Sequence, residues 1–325
     1  MTATMLPDPS ALADFLPTDR INATGRPTPA WREQLRRIPN GRNAAAVAAL
    51  YVQTIGIVVV AVWLDNWLVW AAAFLLMGRA HAQFAALMHE SAHRLLFRNR
   101  KLNDFVGRWL LGFPSFTPID AYRRGHMAHH RDEFGPDEPD IPLYRGYPIS
   151  RQSLRRKLVR DATGRTGWKL FKGLLRAVRA DDTSIRFQAR AIVGTQLVLI
   201  AIGIALGHPF VYFLLWLAPY LTVWRVINRL RSIAEHGGMQ RSKDRRLTTH
   251  SVRQLPIARF FIVPYHIGWH LAHHVDAGVP MANLPKLHTE LVRAGYVTDA
   301  LEYRSYPALW RKLASGTASN RVATA

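Results

Sequence analysis

Apolar positions along the chain gather into four long runs separated by strongly polar stretches. The first, "AAAVAALYVQTIGIVVVAVWL" at 44–64, carries no charge and has the length of about 20 residues that a helix needs to cross a bilayer. After a short turn at Asp65 and Asn66, "WLVWAAAFLLMGRAHAQFAALM" at 67–88 has the same length but contains Arg79 and His81. The third and fourth runs, "AIVGTQLVLIAIGIAL" at 191–206 and "FVYFLLWLAPYLTVW" at 210–224, are parted only by Gly207-His208-Pro209. The pattern predicts two helical hairpins with spans over about 44–64, 67–88, 191–206 and 210–227. Trp63, Trp67 and Trp70 fall where an interfacial aromatic belt belongs. Two shorter apolar stretches, 105–116 and 257–269, are too interrupted to span and read as helices lying in the interface or re-entering it.

Charge orients the hairpins. The formal net charge is +21, yet neither hairpin tip holds a lysine or arginine, whereas the N-terminal stretch, residues 94–190 and the region after 225 are rich in both. By the positive-inside rule these three regions, and both termini, lie in the cytoplasm. The expected architecture is an all-α, multi-pass integral membrane protein: four transmembrane helices in two hairpins under a cytoplasmic helical cap. Residues 1–43 read as a cytoplasmic arm, 44–295 as the membrane domain and 296–325 as a cytoplasmic tail. The basic segment 145–190 suits anionic membrane lipid, or else an acidic partner protein. Nucleic acid is the rival partner for such a charge, but no DNA-reading motif occurs and the basic residues flank runs of lipid length. The N-terminus lacks the basic start and apolar run of a signal peptide.

Composition then narrows the chemistry. With no cysteine, the chain offers no disulfide, no thiolate metal site and no iron–sulfur ligation. It has fourteen histidines, most of them clustered. His89 and His93 form H-x-x-x-H at the end of the second run; His126, His129 and His130 form H-x-x-H-H; His270, His273 and His274 repeat it; His236 follows the fourth run. Spacings of three and four place each group on one helical face. Neutral imidazole ligates zinc, copper and iron, and one ion takes three or four such ligands, so nine histidines suit two ions better than one. Ligation by histidine alone favours two irons that handle oxygen over structural zinc, while hydrolytic zinc needs fewer ligands. A non-catalytic metal-binding membrane protein is the reading from another class. Glu90, Asp132, Glu133, Asp140 and Glu235 are the carboxylates placed to orient ligating rings. Arg79 and His81, inside a span, read as facing the bundle interior, lining a substrate path or supporting the metal ligands, or else as a snorkelling or packed polar pair. His266, one turn before His270, supports the third group; His208, His250 and His288 read as surface residues.

These boxes, in this order around two membrane hairpins, resemble the membrane fatty acid desaturase superfamily. The likeness extends to "MHESAHRLLFRNRKLNDFVGRWL" with Asn103 and Asp104, to "YRRGHMAHH", and to "YHIGWHLAHHVDAGVPMANLPKLHTEL", over about residues 44–295. It implies a non-haem di-iron oxidase that uses O2 and two reducing equivalents to place a double bond in a fatty acyl chain or related lipid. The same boxes serve hydroxylases and ketolases of carotenoids, sterols or alkanes. The ligands carried over are His89, His93, His126, His129, His130, His236, His270, His273 and His274. Where acyl desaturases often add an asparagine four residues before the single histidine, this chain has Ser232. The sequence has no H-P-G-G signature of a fused haem module, so the resemblance implies an external electron donor such as a ferredoxin.

Overall fold

The computed structural model describes residues 5–12 and 14–316. Residues 1–4 and 13 of the expected arm and 317–325 of the expected tail lie outside the described residues. The chain is mostly helical: α1 Pro29–Leu35, α2 Asn40–Leu64, α3 Trp67–Ala92, α4 Arg100–Phe105, α5 Ile119–Arg131, α6 Ile141–Tyr144, α7 Arg151–Ala162, α8 Arg165–Ala177 and α9 Thr183–Ala205 come first. Then follow α10 Ala218–Leu221, α11 Val223–His236, α12 Pro256–Phe261, α13 His270–Val275, α14 Leu284–Arg293 and α15 Tyr306–Leu313. Two short strands, β1 Ser251–Val252 and β2 Glu302–Tyr303, pair in parallel. Contacts divide the chain into two compact units, one of Met1–Ile38, Arg124–Lys157 and Arg229–Ala325, the other of Pro39–Arg123 and Leu158–Asn228.

The second unit holds the apolar runs. Among the described residues three helices are long and apolar enough to cross a membrane: α2 within Pro29–Leu64, α3, and α9. Their outer faces carry large exposed apolar side chains, among them Val52, Ile55, Leu197, Val198 and Leu206, the kind of surface that marks a membrane or protein interface. Between α2 and α3 the chain reverses because Asp65 adopts a left-handed conformation and the Asn66 side chain caps Leu68 N–H at 2.9 Å. The run expected as one span over 210–227 is divided instead: a π-helical turn Phe213–Leu217, then α10, then a break at Thr222 before α11. Pro219 accounts for the π-helical turn before it, since it has no N–H to donate to the preceding turn.

Several buried polar groups inside this unit are paired. Arg79 donates to Gln53 and Gln83, each at 2.9 Å, and Gln53 donates to Gln83 at 2.7 Å. His81 is buried, with Nε2 3.0 Å from the Trp216 carbonyl and its ring beside Trp216 and Tyr220. At the end of α3, Arg94 turns left-handed (φ 59°) and stops the helix. The carbonyls left open there are taken up by side chains. Asn103 donates to Ser91 O at 2.9 Å, and Arg123 donates to Ser91 O and Ala92 O at 3.1 and 2.9 Å while pairing with Asp104 at 2.6 Å. Asn103 also accepts from the amides of Leu96 and Phe97. An apolar cavity of about 460 Å³ lies in this unit, lined by Tyr51, Val58, Met77, Phe84, Leu215 and Trp216 among others.

In the first unit the N-terminal residues are tied to later segments: Arg32 pairs with Asp276 at 2.5 Å, Arg20 with Glu290 at 2.8 Å, and Asn283 donates to Leu35 O at 2.8 Å. Near the other end of the chain, Trp310 of α15 donates to Leu230 O at 2.9 Å. His250 and His288, expected at the surface, are not there. His250 is buried and donates from Nε2 to Gly237 O at 2.8 Å, because the turn after α11 leaves that carbonyl open. His288 is half-buried, 3.0 Å from Glu302.

Two outcomes follow. Asn103→Leu strands the buried Leu96 and Phe97 amides and lowers stability by about 2 kcal/mol or more, read as a fall of several degrees in the thermal midpoint in detergent. Burial holds the His250 imidazole down to about 4, from its ordinary value of 6.5. A depressed histidine takes up its proton more readily when unfolded, so its contribution is complete above pH 6.5 and is lost as pH falls toward 4. The loss reaches about 3 kcal/mol, and His250→Gln flattens the denaturation midpoint over that window.

Candidate metal centre

Seven of the expected histidines come together within the first unit. Helix α5 presents His126, His129 and His130 on one face, α11 ends on His236, and the short buried helix α13 presents His270, His273 and His274. Left-handed conformations at Tyr265 and His266 bring the chain into α13, and Asp276, gripped by Arg32, ends it. His129, His236, His270 and His274 each turn one ring nitrogen into a cluster no more than 4.8 Å across. Within it the Nε2 atoms of His236 and His270 are 3.0 Å apart, as are those of His270 and His274. A second cluster lies beside it: His130 Nε2 stands 3.1 Å from His126 Nε2 and 3.0 Å from His273 Nε2. The His130 and His274 rings, 4.4 Å apart, join the two.

The opposite ring nitrogens explain the arrangement. His236 Nδ1 donates to the Thr248 carbonyl at 2.8 Å, His274 Nδ1 to Glu133 at 2.5 Å, and His129 Nδ1 to both oxygens of Glu138 at 2.9 Å. A carbonyl or an ionised carboxylate only accepts, so each ring carries its proton on Nδ1 and turns a lone pair inward at Nε2. Burial pushes the His236, His270 and His274 imidazoles well below 6.5, which keeps them neutral. For His129 burial acts in the same direction, but Glu138 outweighs it and the imidazole is raised, while Glu138 itself is held below its ordinary value. Burial raises Glu133, opposed by Arg245 at 2.5 Å, and raises Glu235.

The inward nitrogens of His129, His236 and His274 share one buried space with the His270 ring, all within 4.8 Å of one another, an arrangement that suits a cation. Two imidazole nitrogens bound to one ion at about 2.1 Å stand about 3.0–3.4 Å apart. The donor set is imidazole nitrogen, with the far sides of His129, His236 and His274 anchored, which fits borderline transition-metal ions.

The other expected residues fall as follows. His89 and His93 sit at the end of α3 in the second unit with ring centroids 4.6 Å apart, and Glu90 there is buried. Glu235 Oε1 is 3.5 Å from His270 Nδ1, and Asp140 groups with Glu138 and His129. Asp132 pairs with Arg241 at the surface. His266 stacks on Trp269, 5.0 Å between centroids, and belongs to neither cluster. Ser232 is buried.

Sequence reasoning missed Glu138, the Thr248 carbonyl and Arg245. The left-handed Phe134 folds the chain back after α5, and Glu138 accepts from the Phe134 and Asp140 amides as it reaches His129. A signal existed: Asp132, Glu133, Asp137, Glu138 and Asp140 crowd behind the box in a chain with only 22 acidic residues. Nothing in the sequence marked a backbone carbonyl.

Residues 65–307 match the fatty acid desaturase family; the chain belongs to that family. It is 26% identical over 240 residues to the dihydrorhizobitoxine desaturase of Bradyrhizobium elkanii, covering 68% of this chain and 67% of that one. To the sn-1 oleoyl-lipid 12-desaturase of Anabaena variabilis it is 21% identical, covering 81% of each. To the ferredoxin-named sn-1 acyl-lipid omega-3 desaturase of a Nostoc strain it is 22% identical, covering 78% and 75%.

Glu138→Ala, which frees the His129 ring, lowers iron affinity about 10- to 100-fold, whereas Asp132→Ala leaves it unchanged. Iron retained by the purified proteins against a graded chelator distinguishes the two.

Proposed function

We propose that this chain is an O2-dependent di-iron desaturase that introduces a double bond into a fatty acyl chain or related lipid. The observation that carries the reading is the cluster of His129, His236, His270 and His274, with inward lone pairs and three far nitrogens anchored on Glu138, Thr248 and Glu133. These four would hold one iron; His126, His130 and His273 belong to the set for the other, and His89 and His93 join the ligands on the strength of their H-x-x-x-H spacing. Two irons with O2 and two electrons supply the oxidising power needed to take hydrogen from unactivated methylenes.

The chain's own residues do the rest. Glu138, Glu133 and the Thr248 carbonyl keep the protons on Nδ1 and fix the ring orientations. Arg245 bridges Glu133 and the His130 carbonyl, bracing the end of α5. The apolar lining of the 460 Å³ cavity favours a hydrocarbon substrate. A separate protein would bring the electrons, since a chain without cysteine carries no iron–sulfur cluster on thiolates, and ferredoxin is the donor in the names of three relatives. Four spans with both termini and the histidine clusters on the cytoplasmic side fit the distribution of basic residues.

The test is lipid profiling of a host expressing the wild type beside His129→Ala. The wild type yields a product short of two hydrogens and the variant yields none. A product that gains an oxygen makes the enzyme a hydroxylase; the same unsaturated product from both overturns the site.

A further inference from the structure

Helix α8 carries a feature that the reaction does not use. Arg165, Lys169, Lys172, Arg176 and, just past its end, Arg179 recur at steps of four, three, four and three, which keeps them on one side. All five are exposed, α8 has no acidic residue, and among the described residues no carboxylate pairs with any of the five. The opposite side is packed. Gly167 lies so close to the Leu221 carbonyl that a Cβ would overlap it, and Phe171 meets Phe116 edge-on at 6.0 Å. On the flank between the two, Trp168 and Leu175, seven residues apart, are 49% and 43% exposed.

The placement of α8 matters as much as its faces. It ends at Ala177, and α9, long and apolar enough to cross a membrane, begins at Thr183. The intervening turn is pinned to α9: Arg186 donates to Ala180 O at 2.6 Å and to Asp181 O at 3.1 Å, and Arg190 to Val178 O at 3.2 Å. A helix held at the mouth of a span lies at headgroup depth. There, unpaired cations meet lipid phosphates, and an indole on their flank sits at the acyl boundary.

We propose that α8 is a binding site for anionic phospholipid, with the basic stripe on the phosphates and Trp168 and Leu175 at the start of the acyl chains. This rests on α9 being a membrane span. An acidic carrier or electron-transfer protein would also answer the cations, but it would leave exposed Trp168 and Leu175 without a reason, so the lipid is favoured.

Full-length protein and the triple variant Lys169→Gln, Lys172→Gln, Arg176→Gln are titrated in detergent with phosphatidylglycerol and with phosphatidylcholine, and bound lipid is counted by native mass spectrometry. The wild type prefers phosphatidylglycerol, and the variant loses that preference about tenfold while keeping its thermal midpoint. The triple replacement by the opposite choice of cation (Lys169→Arg, Lys172→Arg, Arg176→Lys) retains the preference. In nanodiscs of brominated phosphatidylglycerol, the emission lost in Trp168→Phe is the quenched fraction. An unchanged preference in the glutamine variant overturns the proposal. So does an unchanged preference together with lost binding of an acidic ferredoxin, which would assign the stripe to a protein partner. Alkaline carbonate washing of membranes checks the underlying reading: release of the wild type overturns the span, whereas retention with no lipid preference overturns only the role of α8.

Discussion

The histidine-rich unit depends on one constraint: a ring whose outer nitrogen must donate has only a lone pair to turn inward. Thr248 O, Glu133 and Glu138 accept and cannot donate, so His236, His274 and His129 are each committed to one tautomer. Burial reinforces the commitment by keeping the His236 and His274 rings neutral. The result is an electrostatically frustrated cluster in a place with little water to relieve it. A cation bound there would turn the inward lone pairs into ligands, and its binding free energy would then become folding free energy.

The supports of this cluster are themselves charged and must be satisfied. Glu133 serves two masters, His274 on one side and Arg245 on the other, and Arg245 reaches on to the His130 carbonyl. Arg32 closes the end of α13 through Asp276, which makes the N-terminal segment part of the site's scaffold rather than an appendage. Local helix signals are weak here, since α13 is only six residues long. Tertiary hydrogen bonds, not propensity, hold it.

In the apolar unit the same economy appears in a drier setting. Arg79 is surrounded by the neutral amides of Gln53 and Gln83, which share its charge without adding an ion. Asn103 and Arg123 close the frayed end of α3 just where His89 and His93 sit, so the asparagine and arginine that accompany the boxes in the sequence are capping groups for the helix that carries the first box.

The sequence alone determined the long apolar runs, the helical faces of the three boxes and the absence of any thiolate ligand, because all three are local: they follow from run length, from a period of 3.6 residues and from composition. Pro219 was visible too, though the π-helical turn before it was not anticipated. Only the tertiary structure decided which acceptor holds which ring. Asp132 and Glu133 are neighbours in the chain, yet one meets a surface arginine and the other anchors His274, 141 residues away. Glu138 reaches His129 through a left-handed residue, His236 leans on a backbone carbonyl, and His250 is buried by the turn it caps. Such pairings are set by where the backbone passes in space, which no spacing of residue types encodes.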